Sequence, residues 1–262
     1  MKHLLLKTGL LLSLAASLHA QTTVLTNDFT SGTSTTAFSV IGAGTTSYTT
    51  DSGTGTLNSA AFRFQAANLN TLVGLFPSAL NLGSNVGDTL AVSFKVRQEA
   101  DVTGKFRFGL FNIGPLDGTG DDNGYYVDYG NGGSNAAWYA TGGPAYYGTF
   151  GTPKDTTYSG SVSLRNITAI TPVSLTLKLT RTSTGADFDA INGSTAVYTV
   201  SHTSPITTID EFAIFTEQAR TIWIDDLTVV TGTAIPEPAT WASTLGTLAL
   251  LATATRRRRR SV

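Results

Sequence analysis

Cysteine is absent from the 262 residues. Disulfide staples, thiol nucleophiles and thiolate metal sites are thereby excluded, and the fold must rest on its hydrophobic core, with or without a bound metal. Histidine is nearly absent too. His3 and His19 belong to the leading segment, which leaves His202 as the one imidazole for any zinc cluster or Ser-His-Asp arrangement. Charged residues make up only 13% of the chain, about half the usual share. Two of the 17 Lys and Arg fall in residues 1–20 and five in the tail, while only Glu237 of the 18 acids lies outside the middle, so the middle carries about −7. That sign argues against nucleic acid, whose phosphates need a basic surface. Long apolar runs occur only at the two ends.

Both ends read as address labels rather than as fold. Lys2 and Lys7 precede or flank the apolar block Leu4 to Leu18, which closes in Ser17-Leu18-His19-Ala20 before a Thr-rich start. This is the pattern of a secretory signal peptide, residues 1–20, most simply cut after Ala20. Leu18 is larger than the small residue usual at the minus-three position.

At the other end stands IPEPATWASTLGTLALLATATRRRRR, residues 235–260. Ala239 to Thr255 carries no charge over 17 residues and spans roughly 25 Å as a helix, the low end for crossing a bilayer. Its six Thr and Ser dilute the hydrophobicity, and Trp241 sits where an interfacial aromatic belongs. Arg256, Arg257, Arg258, Arg259 and Arg260 keep that end cytoplasmic, which puts the bulk of the chain outside. Pro236 and Pro238 forbid helix and hold the preceding stretch extended.

Pro236-Glu237-Pro238, a short apolar helix and a terminal arginine cluster together resemble the PEP-CTERM sorting signal of Gram-negative bacteria, over about 27 residues. Ile235, where Val is common, is a small departure. The resemblance implies recognition and removal of residues 233–262 by an exosortase-type membrane peptidase at the bacterial inner membrane. It also implies release to the cell surface or the extracellular polymer matrix.

The middle, residues 21–232, shows period two. Leu90, Val92, Phe94 and Val96 alternate with Ala91, Ser93, Lys95 and Arg97; Val173, Leu175, Leu177 and Leu179 alternate with Ser174, Thr176, Lys178 and Thr180. Each run is a strand with one face in a core and one in water. Further strands are expected from Ala60, Lys105, Ala196, Asp210 and Thr221, separated by Gly, Asn, Asp and Pro clusters. No amphipathic helix of four turns and no alignable repeat is present. The expectation is all-β: one two-sheet β-sandwich or jelly roll, flanked by the signal peptide and a C-terminal transmembrane helix. The order of KFRFGLFN, GYYVDYG, SLTLKLTR, DEFAIFT and IWIDDLTV resembles concanavalin-like jelly rolls, the lectin and glucanase fold.

Residues 125–150 hold eight aromatics, among them Tyr125, Tyr126, Trp138, Tyr139, Tyr146 and Tyr147, about three times the chain's average density. Set among Gly-Gly and Gly-Pro turns, they read as loop aromatics suited to stacking on sugar faces, or as packing for a long loop. The lectin-like resemblance points to polysaccharide. Asp117, Asp121, Asp122 and Asn123 lie in DGTGDDNG and supply the oxygens that calcium takes, although they are also what a solvated turn requires, and both readings stay open.

Catalysis finds little to work with. A glycosidase needs two carboxylates about 5–10 Å apart. Glu211 and Glu217 fall near 20 Å apart if they share one strand, and the Glu-x-Asp-x-x-Glu signature of laminarinase-like enzymes is missing. Asp187 and Asp189, at roughly 7 Å on one strand face, are the best pair and also read as surface turn residues. Asp225-Asp226 interrupts the last strand, with one turned inward, or both outside at a β-bulge. Two readings follow: a non-catalytic exported sandwich that binds polysaccharide or builds matrix, and a carbohydrate-active enzyme, glycosidase or lyase, on the same fold.

Overall fold

The structure is a computed structural model, and it describes residues 19–34, 36–52, 57, 59–68, 70–99, 106–112, 123–128, 137–141, 152–153, 158–159 and 172–234. Gln21–Gly232 forms one compact unit. Met1–Ala20 with Thr233–Val262 forms a second, of which only His19, Ala20, Thr233 and Ala234 are described. The signal peptide and the apolar tail, with Pro236, Glu237, Pro238 and the five arginines, lie outside the described residues.

Among the described residues there are sixteen strands and no helix. In chain order they are β1 (His19–Asn27), β2 (Ala37–Ile41), β3 (Thr45–Thr50), β4 (Ala60–Ala66), β5 (Asn70–Asn81), β6 (Thr89–Gln98), β7 (Phe106–Asn112) and β8 (Asn123–Asp128). There follow β9 (Ala137–Thr141), β10 (Thr152–Pro153), β11 (Tyr158–Ser159), β12 (Val173–Arg181), β13 (Ala186–Asn192), β14 (Thr195–His202), β15 (Thr208–Thr216) and β16 (Arg220–Ala234). A nine-stranded sheet runs β11-β14-β13-β12-β6-β16-β4-β3, with β1 also paired to β16. A seven-stranded sheet runs β10-β9-β8-β7-β15-β5-β2.

The alternating strands face one another as their pattern demands. Leu90, Val92, Phe94 and Val96 of β6 and Leu175, Leu177 and Leu179 of β12 meet Phe108, Leu110, Phe212 and Ile214 of the other sheet in one core. Phe94 joins the layers, its ring centroid 5.3 Å from Phe108 and 4.9 Å from Phe212. At the side where β2 and β3 end the sheets, Phe29, Phe38, Tyr48 and Phe62 close the seam, with Phe38 stacked on Phe62 at 4.3 Å.

The strands β1, β2, β3 and β5 are not among those expected, and β5 contains Gly74 and Pro77. Its register against β15 jumps from Ile209↔Leu80 to Glu211↔Leu75, so Pro77 falls in an exposed irregularity where no partner awaits its missing N–H. The stretch from Tyr125 also departs from expectation. Tyr125 and Tyr126 stand on β8 and Trp138 and Tyr139 on β9, paired Tyr125↔Tyr139 and Tyr126↔Trp138 rather than spread along a loop.

The interlayer contact generates a test. Phe94→Ala removes the ring that touches both layers and should cost about 3–5 kcal/mol, read as a lowered midpoint at constant slope in urea unfolding. A change below about 1 kcal/mol would deny Phe94 its place in the core.

Candidate functional site

Period two gives each sheet an outer face as well as an inner one, and both outer faces carry aromatic and charged groups. On the seven-stranded sheet, Tyr126 on β8 shares a row with Gly109 on β7, Ala213 on β15 and Val73 on β5. Phe111, Tyr126, Val73, Ala213 and Phe215 form a second apolar cluster there, separate from the core. Phe111 lies across two glycines: a Cβ on Gly109 would stand 2.3 Å from its ring, and one on Gly124 2.4 Å from it. Arg107, 5% exposed, holds its guanidinium carbon 5.5 Å from the Tyr126 ring centroid and 5.7 Å from that of Phe215. Glu211 is fully buried in register with Phe111 and Leu75 on the same face.

The residues named from the sequence divide between the faces. Tyr125 points inward and has no exposed surface. Its ring stacks on Phe188 at 5.2 Å, its hydroxyl accepts from the Ile206 N–H at 3.0 Å, and His202 Nδ1 lies 3.1 Å away. Tyr125 is thus a core residue, and His202, itself buried, lies beside its hydroxyl. Tyr126 faces outward but is 1% exposed beneath Arg107. Trp138 stands in register with Tyr126 across β8 and β9. Asn123 opens β8 opposite Asn112, whereas Asp117, Asp121, Asp122, Tyr146 and Tyr147 lie outside the described residues. Among the described residues no group of three or more His, Asp or Glu is placed to hold a metal ion.

On the nine-stranded sheet, three adjacent strands bring Arg63, Trp223 and Arg97 into one row. The guanidinium carbons stand 5.6 and 5.8 Å from the indole centroid, and the indole N–H donates to Glu99 Oε1 at 2.9 Å. Arg97 also grips Asp51 with both ends of its fork, Nε to Oδ2 at 2.8 Å and Nη2 to Oδ1. Asp51 is 2% exposed, so the pair is buried, and removing one partner alone would strand a charge at a cost of about 3–5 kcal/mol. Sequence reading missed this row. Its signal lies in Phe62-Arg63-Phe64, Val96-Arg97-Gln98 and Ile222-Trp223-Ile224, where the middle residue must face outward, but only the register aligns the three.

Among the described residues, Asp187 and Asp189 each accept a hydrogen bond from the next strand, Asp187 from Ser201 and Asp189 from Thr199, each at 2.6 Å across β13 and β14. Glu217 lies past the end of β15, so it does not share a strand with Glu211. The Asp225-Asp226 interruption is a β-bulge, two residues opposite Phe94, with Asp226 at φ 51°. By register Asp225 shares the outer face of Lys95 and Trp223. Asp225 is 4% exposed and accepts from Ser59 Oγ and the Asp226 N–H, while Asp226 turns outward to Lys95 Nζ at 2.6 Å. Burial pushes the Asp225 carboxyl above its ordinary value, against the hydrogen bonds from Ser59 and Asp226.

No protein-family model and no curated protein matches the chain. Among solved structures it is similar to a Bacillus subtilis protein of unknown function with a galectin-like fold, at 12% identity and TM-score 0.51 over 83% of this chain and 100% of that one. It is also similar to the globular domain of T. cruzi calreticulin, at 14% identity and TM-score 0.52 over 92% and 100%. Lectin UEA-II complexed with galactose aligns at 11% identity and TM-score 0.44 over 81% and 100%. The fold is a galectin-like, two-sheet sandwich.

The raised Asp225 carboxyl sets a pH test. With the folded pKa above the unfolded 3.8, stability tied to the protonated form is complete below 3.8 and is lost as pH rises through the folded value. Asp225→Asn keeps the shape and a hydrogen-bonding edge toward Ser59 without that loss. Its melting temperature should match the wild type near pH 3 and exceed it at pH 7; a variant less stable at pH 7 would reverse the sign.

Proposed function

We propose that the chain is an exported, non-catalytic β-sandwich, sorted by its C-terminal tail to the cell surface or extracellular matrix, where it binds polysaccharide. The observation that carries the sorting is the three-part order of Pro236-Glu237-Pro238, an uncharged 17-residue run and five arginines. An exosortase-type peptidase at the inner membrane is the partner this order calls for. The C-terminus is cytoplasmic until that cut. The strand β16 ends at Ala234, two residues before Pro236, and the first five residues after the His19 position, Ala20 to Val24, are exposed, so a cut at either end spares the core.

Polysaccharide binding is assigned to the outer face of the seven-stranded sheet at β8 and β9. Support comes from the aromatic density of residues 125–150, the cross-strand Tyr126 and Trp138, and a fold of galectin-like type. Tyr126 serves as a floor under Arg107 and Tyr139 pairs with the inward-facing Tyr125, which leaves Trp138, Tyr146 and Tyr147 as the stacking residues of this proposal. A non-catalytic role fits the acids, since Asp51, Asp187, Asp189, Asp225 and Asp226 each hold a neighbouring strand or loop. Calcium at Asp117, Asp121 and Asp122 beside Asn123 is a further element of this proposal.

The reading is tested in two parts. Residues 21–234, which include the whole of β16, are screened on a glycan array with and without calcium, for both retention and product release. Trp138→Ala and Tyr146→Ala should each lower retention at least tenfold. Unchanged retention would remove the face as a site, and released product would favour the enzyme. Separately, deletion of residues 235–262 should abolish surface display in the native host, and unaltered display would refute the sorting role.

A further inference from the structure

A sheet edge is a row of unpaired backbone donors and acceptors, and proteins blunt it by shortening the strand or by adding charge, proline or a bulge. Four of the five edge strands show such measures or partial cover. At β1, which pairs with β16 alone among the described strands, Leu25 packs into the core and Asn27 is buried. The β10 and β11 edges are two residues long, and β10 contains Pro153. At β2, Phe38, Val40 and Ile41 are half-buried against the two apolar clusters. The fifth edge, β3, has none of them. It runs Thr45-Thr46-Ser47-Tyr48-Thr49-Thr50 with no charge and no proline, all six residues are exposed, and its ladder to β4 is unbroken. It pairs with β4 on one side and with no described strand on the other.

We infer that β3 is the self-association edge of this protein, and that its occupant is β3 of a second copy. The pairing is antiparallel about a two-fold axis normal to the sheet, which keeps the inner faces of both sandwiches on the same side. Facing residues must then share a face, so the axis passes through Ser47 or through Tyr48. Through Ser47, Thr45 opposes Thr49 and Thr46 opposes Tyr48. Through Tyr48, Thr46 opposes Thr50 and Ser47 opposes Thr49. Either way only hydroxyl-bearing residues meet, the class that stabilises cross-strand pairs by hydrogen bonding, and no like charges face each other. A foreign strand would have to match a row that offers neither charge nor an apolar pocket for selection, whereas a second copy matches it by construction. The two nine-stranded sheets join into one, and the short contact makes the dimer a weak one.

The test uses the full chain in a mild detergent, followed by sedimentation over a concentration series. Wild type should pass from monomer to dimer above about 10 µM. Ser47→Lys with Thr49→Lys places Lys opposite Lys in both registers and should raise the dissociation constant about tenfold or more; Ser47→Glu with Thr49→Glu should do the same. Ser47 and Thr49 are exposed, so melting temperatures of both variants should stay near that of wild type. Mixing the two variants in equal amounts should restore the dimer, because Lys then faces Glu. Wild type that stays monomeric to about 500 µM overturns the inference. So does a Lys variant that dimerises as wild type does, which would put the contact on another surface, or a mixture that fails to recover.

Discussion

The contact of Phe94 with Phe108 and Phe212 is the junction on which the other features depend, because it locks the middle of one sheet to the middle of the other. In a chain without disulfides, that interlayer burial has to supply the cohesion. Once the inner faces are committed to it, the period-two rule sends every second residue of each strand outward. Chemistry can then occupy only the two outer faces, the sheet ends and the free edges. The four aromatic rings at Phe29, Phe38, Tyr48 and Phe62 close the side where β2 and β3 end the two sheets.

Both outer faces are more highly built than a solvated surface requires. On the nine-stranded sheet, Arg97 joins Asp51 from the β3–β4 connection to the Trp223 ring, while Arg63 and Glu99 flank the same indole. The bulge at Asp225 and Asp226 belongs to this device. By adding one residue opposite Phe94 it returns Leu227 to the core while letting one carboxylate reach Ser59 and the other Lys95. On the seven-stranded sheet, Arg107 over Tyr126 and Phe215 makes a flat cationic and aromatic layer backed by glycine. Asp187, Asp189, Asp225 and Asp226 each hold a group on a neighbouring strand or loop.

Much of the fold was legible because alternation is a local property. The runs at β4, β6, β7, β12, β14, β15 and β16 each announce themselves by period two, and the paired sheets follow from needing cover for a half-apolar surface. The β5 strand was not legible, since Gly74 and Pro77 are breakers wherever a partner strand requires their backbone, and only the pairing with β15 reveals that it does not. The aromatic segment was read as a loop for a related reason. Gly124 beside Tyr125 looks like a turn, yet its missing Cβ makes room for the Phe111 ring on the adjacent strand. The same limit hid the inward turn of Tyr125 onto Phe188 and His202, residues 63 and 77 positions away.

The sequence by itself determined the class of fold, the low charge, the absence of thiol chemistry and the alternation that divides inner from outer residues, because each depends on a single residue or on neighbours two apart. Tertiary structure alone decided which outward residues meet: Arg63 with Trp223 and Arg97, Asp51 with Arg97, Asp225 with Ser59. It also decided that β3 ends a sheet while β6 lies within one. The physical reason is that strand register and strand order are set by long-range packing of the whole inner face, and the backbone hydrogen bonds that record them are the same for every residue type.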